Sequence, residues 1–407
     1  MRTLDANKKQ SIKDLIANHQ IGWSLDQRFY TDPDIYEAEL DHLITQNWIM
    51  VGHESEFSGI GDFKVFSMAN ESAIIVRAKD GEIKAFANVC RHRGSLVCLE
   101  GSGTVQKFNC PYHGWVYGLD GKLIAARNMP DDFNKKEFGL HDLSIEVVHG
   151  LIFVCFSKNP PSLESAKREL EEPMAIFDFK NLKVAASKTY SIEANWKLTI
   201  ENYQECYHCA TAHPEYATMH TMMLDRKTRK RVQQHMLEKM KVCGIKNMEI
   251  DRTNSNAPPG EQGYEYSRTA MFEGYKTGSK DGEPLAPLLG NIKDYDGGAS
   301  DFSFGPFSFM LAYSDHVVCY VFYPIDHKNS ECEIYWLVRD DAEEGKDYNK
   351  DELMWLWDIT TEADKEIIVN NRKGVESKFY TPGPYSGMEI IPTIYTQWIL
   401  KELESRI

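Results

Sequence analysis

The spacing of apolar and polar positions changes period along the 407 residues. Residues 1 to about 44 are polar and read as helical, with Asp32-Pro33-Asp34 opening the amphipathic stretch Ile35 to Trp48. From there to about 157 the helical period gives way to short runs bounded by turn residues: Ala73 to Ala78, Ile83 to Asn88, Thr104 to Asn109, Trp115 to Tyr117, Leu143 to Val148 and Leu151 to Phe156. Asp80-Gly81 and Asp120-Gly121 supply hairpin turns between them. Pro160-Pro161 and the charged segment Glu164 to Glu172 read as a linker. A strand over Leu182 to Ile192 then precedes a helix carrying Glu201 to Cys209. Later strands are expected at Phe307 to Tyr313, Val317 to Tyr323 and Cys332 to Val338, followed by helices over about 350–372 and 388–406. Residues 254–299 are rich in Gly, Pro, Asn and Asp, and their length favours a surface insertion or a lid over a pocket. The pattern is α+β, divided into a helical segment 1–44, a β-rich domain 45–157 and a mixed domain 158–407.

Charge and cysteine usage narrow the function classes. With 61 acidic against 46 basic residues the net charge is −15, which argues against nucleic acid as a partner. The basic run Arg226 to Arg231 reads as a solvated helix face, with a docking surface for an acidic redox partner as the sharper alternative. No apolar run approaches the length of a membrane span, nothing at the start resembles a signal peptide, and nine cysteines are an odd count for a disulfide framework. A cytoplasmic protein without a membrane partner is expected.

The chemistry is concentrated in two stretches. The first is Cys90-Arg-His92, then seventeen residues, then Cys110-Pro-Tyr-His113. Given 9 Cys and 13 His, either half alone arises by chance roughly 0.3 times per chain of this length, but both in order are far rarer. Two thiolates and two imidazoles in this order can hold a Rieske cluster, one iron taking the cysteines and the other the histidines. Zinc also accepts a Cys2His2 set. The flanks favour the cluster, because they read as a small β-domain and the second loop continues into an apolar, aromatic cover, Gly114-Trp-Val-Tyr117.

The second stretch is Glu201-Asn202-Tyr-Gln-Glu205-Cys-Tyr-His208-Cys-Ala-Thr-Ala-His213-Pro214. Histidines five apart do not share a face of a regular helix, but Pro214 pushes His213 out of the α region, so its ring can swing back toward His208. Two histidines and one carboxylate leave open positions on a non-haem iron, where dioxygen and substrate meet. Asp364 is the candidate acid, on a helix whose apolar face includes Trp357, Ile367 and Ile368; Asp358, Glu362 and Glu366 compete with it. A zinc site on Cys206, His208, Cys209 and His213 is the rival assignment.

Taken together, C-x-H, C-x2-H and N-x2-E-x2-H-x4-H make the chain resemble, over essentially its whole length, the catalytic (alpha) subunit of Rieske non-haem iron oxygenases. The resemblance implies an N-terminal all-β Rieske domain, a helix-grip catalytic domain with an antiparallel sheet and C-terminal helices, and a homotrimer in which one subunit's cluster feeds its neighbour's iron. It implies that Cys90, His92, Cys110 and His113 hold the two-iron, two-sulfur cluster, and that His208, His213 and Asp364 hold iron. Asn202 and Glu205 come with the same motif, Glu205 standing where an acid bridges a cluster histidine to an iron histidine across the subunit boundary. A glutamate there, with Asn371 to Val375, Tyr380 to Pro384 and Glu389, is similar to the group acting on choline, glycine betaine, carnitine and proline betaine.

That likeness implies a monooxygenase that hydroxylates an N-methyl carbon. Electrons come from a flavin reductase using NAD(P)H, and the carbinolamine collapses to formaldehyde and a tertiary amine. A quaternary ammonium group asks for aromatic faces. Phe307, Phe309, Tyr313 and Tyr320 are the first candidates, with Phe302, Phe304 and Phe322 beside them, and strand alternation allows only half of such residues to face inward. An arene oxygenase and a Rieske electron carrier fused to a ligand-binding domain are the competing readings.

Overall fold

Every strand between residues 50 and 160 is short, because turn residues interrupt each apolar run. The computed structural model describes residues 5–245, 251–254, 257–258 and 260–407, and these divide into two compact units, 50–160 and the remainder. In the first, a four-stranded antiparallel sheet runs Ile83–Ala87, Glu71–Arg77, Asp62–Met68, Ser102–Thr104. Phe108–Asn109, Val116–Tyr117 and Leu123–Ala125 form a second sheet, and Ile49–His53, Leu151–Cys155 and Ser144–Val148 a third. Gly81 and Gly121 take φ of +86° and +73° in hairpin turns, as Asp-Gly pairs favour. The run Thr104 to Asn109 is two strands in different sheets rather than one. Phe63, Ile74, Val76, Phe86, Phe108, Trp115 and Tyr117 form a core that also encloses Cys90 and Cys110.

The second unit is built on a seven-stranded antiparallel sheet ordered Leu182–Ile192, Ser330–Arg339, Val317–Pro324, Ser308–Ala312, Gly298–Phe304, Tyr264–Ala270, Asp251–Thr253. Helices Trp196–Tyr203 and Lys350–Val375 pack on each other and on this sheet. Three expectations need correction. The linker is the helix Glu164–Phe177, whose Ala166, Leu170, Met174 and Phe177 are buried at helical spacing beneath a charged outer face. Residues 254–299 are not wholly irregular, since they contain the strand Tyr264–Ala270 and the start of Gly298–Phe304; residues 255, 256 and 259 lie outside the described set. The strand escapes a hydropathy reading because a buried position is Arg268, paired with Asp296 at 2.6 Å and bonded to Ser300. The third concerns the helix expected over Glu201 to Cys209, which breaks after Tyr203. Among the described residues no helix is long and apolar enough to cross a membrane.

Candidate metal centres

Cys90-Arg-His-Arg-Gly94 and Cys110-Pro-Tyr-His-Gly114 fold into the same turn. In each, the glycine amide donates to the cysteine carbonyl, at 2.9 and 3.0 Å, and the cysteine amide donates to a carbonyl five residues on, at 2.8 Å in both. Gly94 and Gly114 take φ of +78° and +68°, where a side chain would be strained. The two turns set His92 and His113 side by side, with ring centroids 4.6 Å apart, and His92 lies flat on buried Trp115 at 4.8 Å. Buried His92 Nδ1 has no hydrogen-bond partner among the described residues, as a ring that would ligate a metal requires. Burial pushes the Cys110 thiol up, so a thiolate there needs a bound cation. Tyr117 accepts the Arg91 amide at 3.1 Å, which leaves its hydroxyl proton for Cys90 Sγ at 3.3 Å. These four side chains therefore fit a two-iron, two-sulfur cluster. Val89, Leu96, Leu99 and Tyr112 stay exposed around them.

Glu205 makes the break that creates the second centre. Its carboxylate accepts the backbone amides of Tyr207 and His208 and a proton from His208 Nδ1, so the chain turns instead of continuing as a helix. The same contact fixes the tautomer, leaving the His208 Nε2 lone pair free. His213 has φ −138°, outside the α region, as Pro214 requires. Its Nε2 comes within 3.0 Å of His208 Nε2, and Asp364 Oδ1 is 3.2 and 3.4 Å from the two nitrogens. An imidazole binds a first-row divalent ion at about 2.0–2.1 Å, so donors at right angles around one ion lie about 3 Å apart. Among the described residues buried Asp364 Oδ1 makes no hydrogen bond despite this approach, and a cation between the three atoms would satisfy it. Burial opposes a charged His208, but the Asp364 and Glu205 carboxylates outweigh it and raise its pKa to about 10, whereas burial lowers that of His213. The pocket thus calls for positive charge.

Rival donors are accounted for. Asp358 is engaged by Lys188 and by Tyr190 at 2.7 Å, Glu362 pairs with Lys365 at 3.5 Å, and Glu366 is exposed. The Cys209 sulfur stands 3.9 Å from His208 Nε2, further than Asp364 Oδ1 at 3.2 Å, and Cys206, burial and the nearby carboxylates push its thiol far up.

The aromatic candidates separate by strand face. Phe309 and Tyr320 pair across neighbouring strands, and with Phe322 they pack around Tyr203, whose centroid is 4.9, 4.9 and 5.0 Å away. Tyr320 also meets Trp357, which meets Tyr216, the neighbour of His213. Tyr313 lies on this face too, its hydroxyl 2.9 Å from His220 Nε2. Phe307 precedes the strand Ser308–Ala312 and packs on buried Trp196, at the other end of the helix that carries Tyr203, whereas Phe302 packs on Phe177 and Phe179. Tyr203, Tyr216 and Trp357 escape a sequence reading that looks for aromatics only on strands, although Tyr203 sits within the iron motif.

Residues 179–404 match the family model "Ring hydroxylating alpha subunit (catalytic domain)", and residues 47–140 match "Rieske [2Fe-2S] domain". The chain is 33% identical over 381 residues to the glycine betaine monooxygenase oxygenase subunit of Pseudomonas aeruginosa (strain UCBPP-PA14), covering 93% of this chain and 88% of that one. It is 36% identical over 206 residues to the carnitine monooxygenase oxygenase subunit of Escherichia coli (strain K12), 49% of this chain and 55% of that one. In fold it resembles the quaternary ammonium Rieske monooxygenase CntA, with a TM-score of 0.71 at 23% identity over 96% of this chain and 98% of that one. Naphthalene 1,2-dioxygenase from Rhodococcus sp. is nearly as similar, at 0.69 and 18% over 98% and 99%, so the architecture is common to enzymes with different substrates. The two domain matches and the full-length kinship establish that the chain belongs to the Rieske ring-hydroxylating oxygenase alpha subunits, enzymes that couple a two-iron, two-sulfur cluster to a mononuclear non-haem iron.

Proposed function

We infer that this oxygenase is a monooxygenase that hydroxylates an N-methyl carbon of a small quaternary ammonium compound of the betaine type, giving formaldehyde and the demethylated amine. The observation that carries this reading is the wall of Tyr203, Phe309, Tyr320 and Phe322 beside the helix that bears Asp364. Ring faces attract an ammonium without demanding a counter-ion, and burial holds the Tyr203 and Tyr320 phenols neutral. The relatives' substrates, glycine betaine and carnitine, are of this class. His208, His213 and Asp364 would hold an iron(II), which when bound would supply the reductive splitting of dioxygen, one atom entering the C–H bond and the other leaving as water with two electrons and two protons supplied. The chain orients the methyl group and excludes solvent. Asn202 lines, with Tyr203, Tyr320 and Asp364, a cavity of about 30 Å³, room for roughly two waters.

Cys90, His92, Cys110 and His113 would hold the cluster, which would take electrons from a flavin reductase oxidising NAD(P)H in the cytoplasm. A homotrimer would bring the cluster of one copy toward the iron site of the next, and Glu205, which accepts the proton of His208 Nδ1, would be the acid between them. Exposed Tyr112 beside His113 and exposed Tyr207 beside His208, at 54% and 60%, support a partner covering both faces. The test is formaldehyde release from a panel of betaines, choline and carnitine, driven by a generic reductase. Stoichiometric release from one of them is the expected result; cis-diol formation from an arene, with no release from the panel, overturns it.

A further inference from the structure

Strand Gly298–Phe304 carries a carboxylate where its neighbours are apolar or small. Asp301 lies opposite Leu311 on one side and Ser267 on the other, and Ser303, two residues on, lies opposite Phe309. Cross-strand partners and alternate residues share a face, so Asp301 stands on the same side of the sheet as Phe309, Tyr313 and Tyr320. None of the hydrogen bonds or ion pairs among the described residues engages its carboxylate. Asp301 is exposed, yet desolvation by the elements packed around it, with a smaller push from Glu265, raises its pKa to about 7. Its charge is felt by the enclosed phenols of Tyr203, Tyr216 and Tyr313, which border the candidate iron site. Ser303 and Glu265, its companions on this face, line with Phe309 a separate cleft of about 80 Å³, so this side of the sheet borders open space.

An unpaired carboxylate on the same face of the sheet as a wall of aromatic rings adds a negative charge that favours a cation beside those rings. We propose that Asp301 is the counter-charge for the substrate's ammonium, and that it orients a zwitterion with its own carboxylate away from strand Gly298–Phe304. The proposal rests on the quaternary-ammonium reading above and adds the residue that discriminates charge from shape. A trimethylammonium group has no N–H to donate, so a carboxylate selects it through space while the rings make contact.

The experiment titrates holoenzyme tryptophan fluorescence with choline and with its neutral isostere 3,3-dimethylbutan-1-ol. Wild type should bind choline about tenfold or more tightly than the alcohol, and Asp301→Asn should reduce that preference to about threefold or less with the alcohol's Kd unchanged. Asp301→Ser removes the same charge should the Asn protein fail to retain iron, and Asp301→Glu should keep most of the preference. A preference that survives loss of the charge overturns the role of Asp301 and leaves the aromatic wall as the selector. No preference in wild type overturns the cation-binding reading itself, so the two failures are distinguishable.

Discussion

The two candidate metal centres use histidine pairs in contrasting ways. The cluster loops are two copies of one five-residue turn, each closed by its own backbone and a left-handed glycine, and their cysteines belong to the core of the unit that bears them. The iron site has no such local closure. His208 sits in a helix break, His213 at a helix start forced by Pro214, and Asp364 on a helix more than 150 residues further along the chain. The contrast separates a site that a short sequence can build alone from one that exists only when an entire domain has folded.

That difference is most sharply broken by deleting a ligand on each side. Asp364→Ala should remove mononuclear iron and lower turnover by about a thousandfold or more, since a metal contributes several kcal/mol to such chemistry. The Rieske spectrum should be unaffected. Cys110→Ser should do the reverse, losing the cluster while one iron per chain remains. Metal analysis and visible spectra of the purified proteins decide, and loss of the cluster in Asp364→Ala would show that the sites do not assemble independently.

The same contrast explains what could be read from residues alone. The cluster motif and its hairpins are local, so spacing and Asp-Gly turns sufficed to locate them. His208 and His213 were legible through Pro214. Asp364 could be ranked above Asp358 and Glu362 only by resemblance, because three-dimensional partners distinguish them: Lys188 and Tyr190 occupy Asp358, whereas no hydrogen-bond partner among the described residues engages Asp364 Oδ1. The helix expected through Cys209 was wrong because a side chain, Glu205, captures the amides that would have continued it. Which aromatics share a face with Tyr203 could not be read from the sequence alone, since strand register decides it.

Glu205 tests the comparison at the next level down, because it supports the iron site and is proposed to join the two centres. In Glu205→Gln the cluster should assemble and be reduced as in wild type. Loss of the charge-assisted bond to His208 should lower iron affinity about ten- to hundredfold. At saturating iron, stopped-flow reoxidation of the cluster on adding substrate and dioxygen should still be much slower than wild type. Reoxidation at the wild-type rate would reduce Glu205 to a turn-forming acid.

A smaller effect distinguishes the units by pH. Burial raises Glu201 to about 8, against hydrogen bonds that include Tyr30 at 3.0 Å, whereas Asp62, Asp80 and Asp120 in the cluster unit are held low, each chiefly by a side-chain hydrogen bond. A carboxyl with a raised folded pKa binds its proton more tightly when folded. Its stabilising contribution is complete below the unfolded value near 4.5 and is lost as pH rises toward about 8. Denaturation midpoints of the catalytic unit should therefore fall between pH 5 and pH 8.5 less steeply in Glu201→Gln than in wild type, and equal slopes would locate the dependence elsewhere.

The smallest expected effect concerns the cluster unit alone. Tyr117 accepts the Arg91 amide and so directs its hydroxyl proton to the Cys90 sulfur. A hydrogen bond to a ligand sulfur stabilises the added electron of the reduced cluster, so its loss lowers the potential. A net bond of about 0.5–1.5 kcal/mol corresponds, at about 59 mV per tenfold change for one electron, to a fall of about 20–65 mV in Tyr117→Phe. Voltammetry measures this directly, while unchanged iron content and an unchanged electron-spin-resonance line shape would show that the cluster itself is intact. A potential within about 10 mV of wild type would mean that the hydroxyl serves only the Arg91 amide and that the first turn is closed by backbone alone, as the second turn is.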